Sequence, residues 1–193
     1  LLAVFERAAL MLMTLFLLTR TRPFQRLFQK RDHTPAELVL VASIFCLFAV
    51  FSTYTGIPVE GALINVRIIA IISGGILFGP WVGIPAGVIS GLHRYLIDMD
   101  GHTSIPCLIA SIIAGLLATW LHLRCRKSRL WLYGILAGML CEGLTMLLIW
   151  LLTEPHEVGV EIVSHIAYPM IAGALCIGLI IKLVQDLDDE KEL

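Results

Sequence analysis

From Leu38 to Tyr54 the chain reads LVLVASIFCLFAVFSTY, seventeen positions without a charged residue. Such a run can cross the hydrocarbon of a bilayer only as a helix, because every backbone N–H and C=O must find its partner within the segment. The run is not isolated. Apolar segments fall at roughly 1–19, 38–54, 62–78, 81–97, 105–123, 130–152 and 162–184. With 58% hydrophobic residues in 193, a water-soluble domain would expose too much apolar surface. The fold expected is an all-α polytopic membrane protein of about seven transmembrane or re-entrant helices. The third and fourth segments reach about 25 Å each. They either just cross the membrane or enter and return as a hairpin at FGPWVG (78–83), where Gly79-Pro80 punctuates the helix.

Charge placement orients these segments. RTRPFQRLFQKR (20–31) carries five Lys/Arg and RCRKSR (124–129) carries four; Lys182 lies at the end of the last segment and Lys191 follows it. Under the positive-inside rule these three places are cytoplasmic. Residues 55–61, 98–104 and 153–161 then lie outside. They contain no Lys or Arg, but hold Glu60, Asp98, Asp100, Glu154, Glu157 and Glu161. Seven crossings with an outside N-terminus and a cytoplasmic C-terminus satisfy every loop. Three basic residues remain inside membrane segments: Arg7, Arg67 and Arg94.

Arg67 and Arg94 lie towards the outer face, where the loops are otherwise acidic. Cys107, Asn65, His93, Ser104, Ser164, His165 and Tyr168 fall near the same level, so four segments contribute groups at one depth. An ionisable residue within a membrane segment is a functional-site hypothesis by default. Guanidinium matches carboxylate with two parallel hydrogen bonds. Two neighbouring arginines repel unless an anion sits between them, so the pattern points to a small organic anion entering from outside. The structural alternatives are an exposed Arg94–Asp98 helical pair, and an Arg67 that snorkels or pairs with Glu60 or Glu142.

Other features have simpler explanations. Gly79, Gly83, Gly87 and Gly91 recur every four residues and form a packing stripe on a helix. Glu142 reads as a structural partner of Arg7 or of a hydroxyl, and the adjacent Glu6 and Arg7 as a local or interhelical pair. Cys107 is apolar enough to be filler. His165 reads as a packing residue, and His33, His102, His122 and His156 as loop or interface residues. The five cysteines have no metal-ligand spacing, so neither disulfide nor zinc is expected. No nucleophile elbow, metalloprotease, phosphate-loop or dinucleotide motif occurs. Nothing in the basic loops calls for nucleic acid. The first segment lacks a basic n-region and an A-x-A site, so it is not a signal peptide. The chain reads as a fragment trimmed at both ends.

NVRIIAIISGGILFGPWVG, GLHRYLID and IPCLIASIIAG together resemble the LytS/YhcK-type five-transmembrane sensor domain of bacterial histidine kinases, over essentially the whole chain. The resemblance implies an inner-membrane sensor domain at 1–185, with 186–193 starting a cytoplasmic linker to absent GAF and kinase domains. No activity is then expected of this fragment, and no cofactor; ATP and Mg belong to the absent kinase, a protein-histidine autokinase. A homodimer and a LytTR-type response regulator are the implied partners, besides the lipid bilayer. In pyruvate-sensing relatives two arginines and a helix-opening cysteine are implicated in ligand binding, and these match Arg67, Arg94 and Cys107. A small hydroxyl residue one turn later is matched less directly, since Ala110 occupies the nearest position and Ser111 follows. The expected ligand site is therefore Arg67, Arg94, Cys107, Asn65, Ser111, His93 and His165, holding pyruvate or a close small carboxylate. The domain is also distantly similar to the six-helix substrate-binding subunits of vitamin importers. That likeness keeps a small-anion transporter, or an importer subunit, as the rival reading.

Overall fold

A computed structural model describes residues 6, 9–10, 13–14, 17–18, 20–30, 33–59, 62–64, 67–125 and 129–192. Among them are seven helices with bounded ends and one two-stranded hairpin: α1 (Arg22–Gln29), α2 (Pro35–Tyr54), β1 (Ile57–Val59), β2 (Ala62–Ile64), α3 (Arg67–Phe78), α4 (Pro80–Ile97), α5 (Ser104–Arg124), α6 (Leu130–Leu152) and α7 (His156–Glu192). The described residues of the first apolar segment are helical as well. This is a polytopic α-helical membrane protein. Helices α2, α5, α6 and the part of α7 up to Asp186 are each long and apolar enough to cross a bilayer. Their outer faces present residues such as Leu47, Phe51, Trp120, Leu140 and Leu151, as lipid contact requires.

Local chemistry sets the boundaries. Thr34 and Glu37 form a reciprocal capping box at the start of α2, with Pro35 in the first turn. Lys30 Nζ then pairs with Glu37 Oε1 at 2.9 Å, tying the α1–α2 turn to the helix end. Gly79 adopts φ +79°, which only glycine takes cheaply, and Pro80 opens α4 directly after it.

The segment expected as one helix over 62–78 is divided. Ala62–Ile64 pairs antiparallel with Ile57–Val59, Ile57 opposite Ile64, and the helix starts only at Arg67. Hydropathy alone does not separate a short apolar strand from the first turn of a helix. The remaining α3 has 12 residues, about 18 Å, less than a hydrocarbon core of about 30 Å. Every residue of α3 except Leu77 is buried. It is the central post, packed by α2, α4, α5, α6 and α7, which explains why it is apolar all round.

Helices α4 and α5 meet backbone to backbone. A Cβ added at Gly87 would lie 2.5 Å from the Ser111 carbonyl oxygen, and one at Gly115 2.5 Å from that of Gly83. At Gly83 it would stand 2.8 Å from Gly75 Cα, so α3 joins the same seam. Gly91 continues the stripe against Leu108 and Ser111. Gly79, expected as its first member, is instead the turn residue and abuts His122. Small residues let these helices approach where lipid offers no hydrophobic drive to associate.

Candidate functional site

The seam places one end of three helices side by side. Arg67 is the first residue of α3, Arg94 lies in the last turn of α4, and Thr103 holds the N-cap position of α5 without a side-chain cap bond. Arg67 is 2% exposed and Arg94 0%. For guanidinium groups those values decide the question of snorkelling: neither reaches out to headgroups.

Each arginine holds the start of α5 in a different way. Arg67 Nη2 donates to the Cys107 carbonyl oxygen at 3.4 Å, which also accepts the Ser111 hydroxyl at 2.6 Å. Arg94 Nη2 donates to Thr103 Oγ1 at 2.8 Å and to Asp98 Oδ2 at 3.1 Å. The expected Arg94–Asp98 pair therefore exists, but its guanidinium side is wholly buried while Asp98 is 38% exposed. Arg94 Nε and Nη1 are buried with no hydrogen-bond partner among the described residues. The residues the two guanidiniums bind, Thr103 and Cys107, stand about one helical turn apart. The N-terminal end of α5, with its own positive end-charge, lies between the residues they bind. Like charges gathered in a dry place are unfavourable, and a buried donor without an acceptor costs about 1–3 kcal/mol. The arrangement is complementary to an anion.

Of the expected site residues, the structure gathers Arg67, Arg94, Cys107 and Ser111. Cys107 and Ser111 are buried on α5, and the Cys107 main-chain carbonyl is the group that Arg67 uses. His93 is half-buried at the margin. Its Nε2 is 3.2 Å from the Tyr54 hydroxyl, and the two rings meet edge-on at 5.1 Å. Asn65 lies outside the described residues, as does Arg7. His165 departs from the expectation. It is exposed, and its Nδ1 lies 2.9 Å from the Glu161 carbonyl oxygen of its own helix. Ser164 and Tyr168 are exposed with it. The buried stripe of α7 here runs through Ile162 and Ile166, and His165 precedes Ile166 by one position, about 100° round the helix.

Two residues matter more than their sequence context suggested. Thr103 supplies the hydroxyl that holds Arg94; its position just before an apolar run, in GHTSIP, is the N-cap signal that locates it. Glu142 is 4% exposed on α6, and its Oε2 is buried with no hydrogen-bond partner among the described residues.

These features define a class: a multi-pass membrane domain with a charged, buried site at one end of a glycine-packed helix cluster. Residues 21–187 match the family model described as 5TMR of 5TMR-LYT, and the chain belongs to that family. The sensor histidine kinase YpdA of Escherichia coli (strain K12) is 58% identical over 192 residues, covering 100% of this chain and 34% of that protein. The sensor protein LytS of Bacillus subtilis (strain 168) is 32% identical over 186 residues, 86% of this chain and 31% of LytS. The sensor histidine kinase BtsS of Escherichia coli (strain K12) is 30% identical over 192 residues, 96% of this chain and 34% of BtsS. The chain thus spans about a third of the length of these curated relatives.

Proposed function

We propose that this chain is the ligand-sensing membrane domain of a two-component sensor histidine kinase, and that it receives a small carboxylate, pyruvate first among them, between Arg67 and Arg94. The observation that carries this reading is the pair of fully buried guanidiniums that converge on the start of α5, one of them with two nitrogens lacking an acceptor. A carboxylate of pyruvate size offers two acceptor oxygens to such donors. Its keto or methyl end would meet Cys107 and Ser111. The sensor-kinase names of the relatives favour a signalling readout over transport.

In this reading the acidic loops and the arginine site face the periplasm, and the clusters at 20–31 and 124–129 face the cytoplasm of an inner membrane. Helix α7 has 37 residues, about 55 Å, so it crosses the bilayer and continues beyond it. It packs on both α3 and α6 and would carry a ligand-dependent shift towards kinase domains on the full protein. Signalling requires that the anion favour one helix arrangement over another. A homodimer, a LytTR-type response regulator, and ATP with Mg at the kinase complete the picture. The test is titration of the purified chain with pyruvate, lactate and acetate, wild type against Arg67→Ala. A response to pyruvate that Arg67→Ala loses supports the site; equal responses from both proteins refute it.

A further inference from the structure

We propose that Asp98 is a tethered stand-in for the ligand carboxylate: it holds Arg94 until the anion takes its place, and is then released to solvent. The inference rests on the reading of Arg67 and Arg94 as a carboxylate site and concerns how that site is regulated. It starts from the sharing of one nitrogen. Arg94 Nη2 donates to Thr103 Oγ1 at 2.8 Å and to Asp98 Oδ2 at 3.1 Å, which uses both of its hydrogens. Nε and Nη1 are buried, with no hydrogen-bond partner among the described residues. A guanidinium offers a carboxylate two forks, Nε with Nη2 and Nη1 with Nη2. Both forks include Nη2. A ligand carboxylate that takes either one must displace Thr103 or Asp98.

The two holders are unequal. Thr103 is neutral, 2% exposed and set at the N-cap position of α5. Asp98 is an anion just past the last residue of α4, and its side chain is 38% exposed. A second carboxylate brought to the same nitrogen repels it. Water is at hand to solvate Asp98 once it leaves, and a partly exposed ion pair is weakly held. Asp98 is therefore the group that yields. One carboxylate leaves Arg94 as another arrives, so the charge beside that guanidinium is conserved.

A glycine marks where the seated carboxylate lies. A Cβ added at Gly101 would overlap Asp98, and the three nearest atoms it would meet are Oδ2, Cγ and Oδ1 of that residue. The Gly101 N–H donates to the Asp98 carbonyl oxygen at 3.2 Å, and the Ser104 hydroxyl donates to the Gly101 carbonyl oxygen at 2.7 Å. The turn from α4 to α5 is thus folded over the carboxylate, and Asp98 ties that turn to Arg94. Departure of Asp98 loosens the turn where it enters α5, the helix whose start both arginines hold. Anion binding is thereby coupled to the α4–α5 connection.

The experiment is titration of the chain in lipid nanodiscs with sodium pyruvate, comparing wild type with Asp98→Asn, Gly101→Ala and Asp100→Asn. Asp98→Asn removes the charge of the stand-in, whereas Gly101→Ala keeps the charge and unseats it. Both are expected to bind pyruvate more tightly than wild type, by about threefold. Asp100→Asn, at an exposed carboxylate of the same loop, is expected to stay within about 1.5-fold of wild type. Unchanged or weaker binding in either of the first two overturns the proposal, as does an equal gain in Asp100→Asn. A gain in Asp98→Asn without one in Gly101→Ala counts against it because charge alone would then explain the gain. Solid-state NMR of wild type with 13C-labelled aspartate and 15N-labelled arginine reads the displacement itself. The Asp98–Arg94 contact is expected to vanish at saturating pyruvate, and a contact that persists overturns the proposal. Should one variant fail to fold, the other decides together with that contact. Failure of the underlying site looks different: Arg67→Ala would bind pyruvate as well as wild type, or wild type would not bind at all, and the proposal falls with it.

Discussion

The two ends of this helix cluster treat positive charge in opposite ways. Near the C-terminal end of α3, aromatic rings are buried and cations are not. Phe24 of α1 meets Phe78 edge-on at 5.6 Å, and Phe45 joins at 5.9 Å. Arg22 and Arg26 point outward there, and Lys30 reaches over the surface to Glu37. At the start of α3 the pattern inverts, and Arg67 and Arg94 are enclosed. Cations at a membrane boundary default to water and headgroups, where they cost nothing to solvate. Enclosing two of them is expensive and does not arise from packing alone. The first end leaves its cations at the surface; the second encloses them, and the proposed carboxylate site rests on that difference.

The largest effect that would break this contrast is at the enclosed end. Arg67→Ala or Arg94→Ala should weaken pyruvate binding by about 30-fold or more, in line with about 2–5 kcal/mol for truncating one partner of a buried charge pair. The seam that holds the arginines in place comes next. Gly87→Ala would put a methyl against the Ser111 backbone, where no flexible atom can yield, and should cost about 1–3 kcal/mol. A fall in the thermal midpoint in nanodiscs checks it. Gly134→Ala meets only the side chains of Ile181, Ile177 and Ile76, which can move, and should lower the midpoint less. Thr103→Val removes the hydroxyl from Arg94 at nearly constant volume and should reduce affinity by about tenfold. Ser111→Ala, which releases a shared carbonyl, should reduce it by about threefold. At the other end Arg26→Ala should leave pyruvate affinity unchanged within about twofold, as should His165→Ala on the exposed face of α7.

Long uncharged runs made the helices from 35 onward legible, because in lipid the backbone has few alternatives. The Ala62–Ile64 strand was not, since ALI satisfies a strand and a helix equally and only its pairing with Ile57–Val59 decides. Arg67, Arg94, Cys107 and Ser111 stood out by residue type, depth and family resemblance, and the fold brings them together. What spacing along one segment does not convey is rotation between helices. That is why His165, at a fitting depth, lies on an outer face, and why Asp98 pairs with an arginine that is buried rather than exposed. Thr103 comes from a loop, and its bond to Arg94 exists only in three dimensions.

The central claim is that a carboxylate sits against both guanidiniums. Solid-state NMR of the chain in bilayers, with carboxylate-labelled [13C]pyruvate and [15N]arginine, measures that contact. The account predicts dipolar dephasing of the pyruvate carboxylate by guanidinium nitrogens, reduced in Arg67→Lys and in Arg94→Lys, and unchanged in Arg26→Lys. Bound pyruvate whose carboxylate shows no dephasing by arginine, or dephasing that survives both inner substitutions, would contradict it.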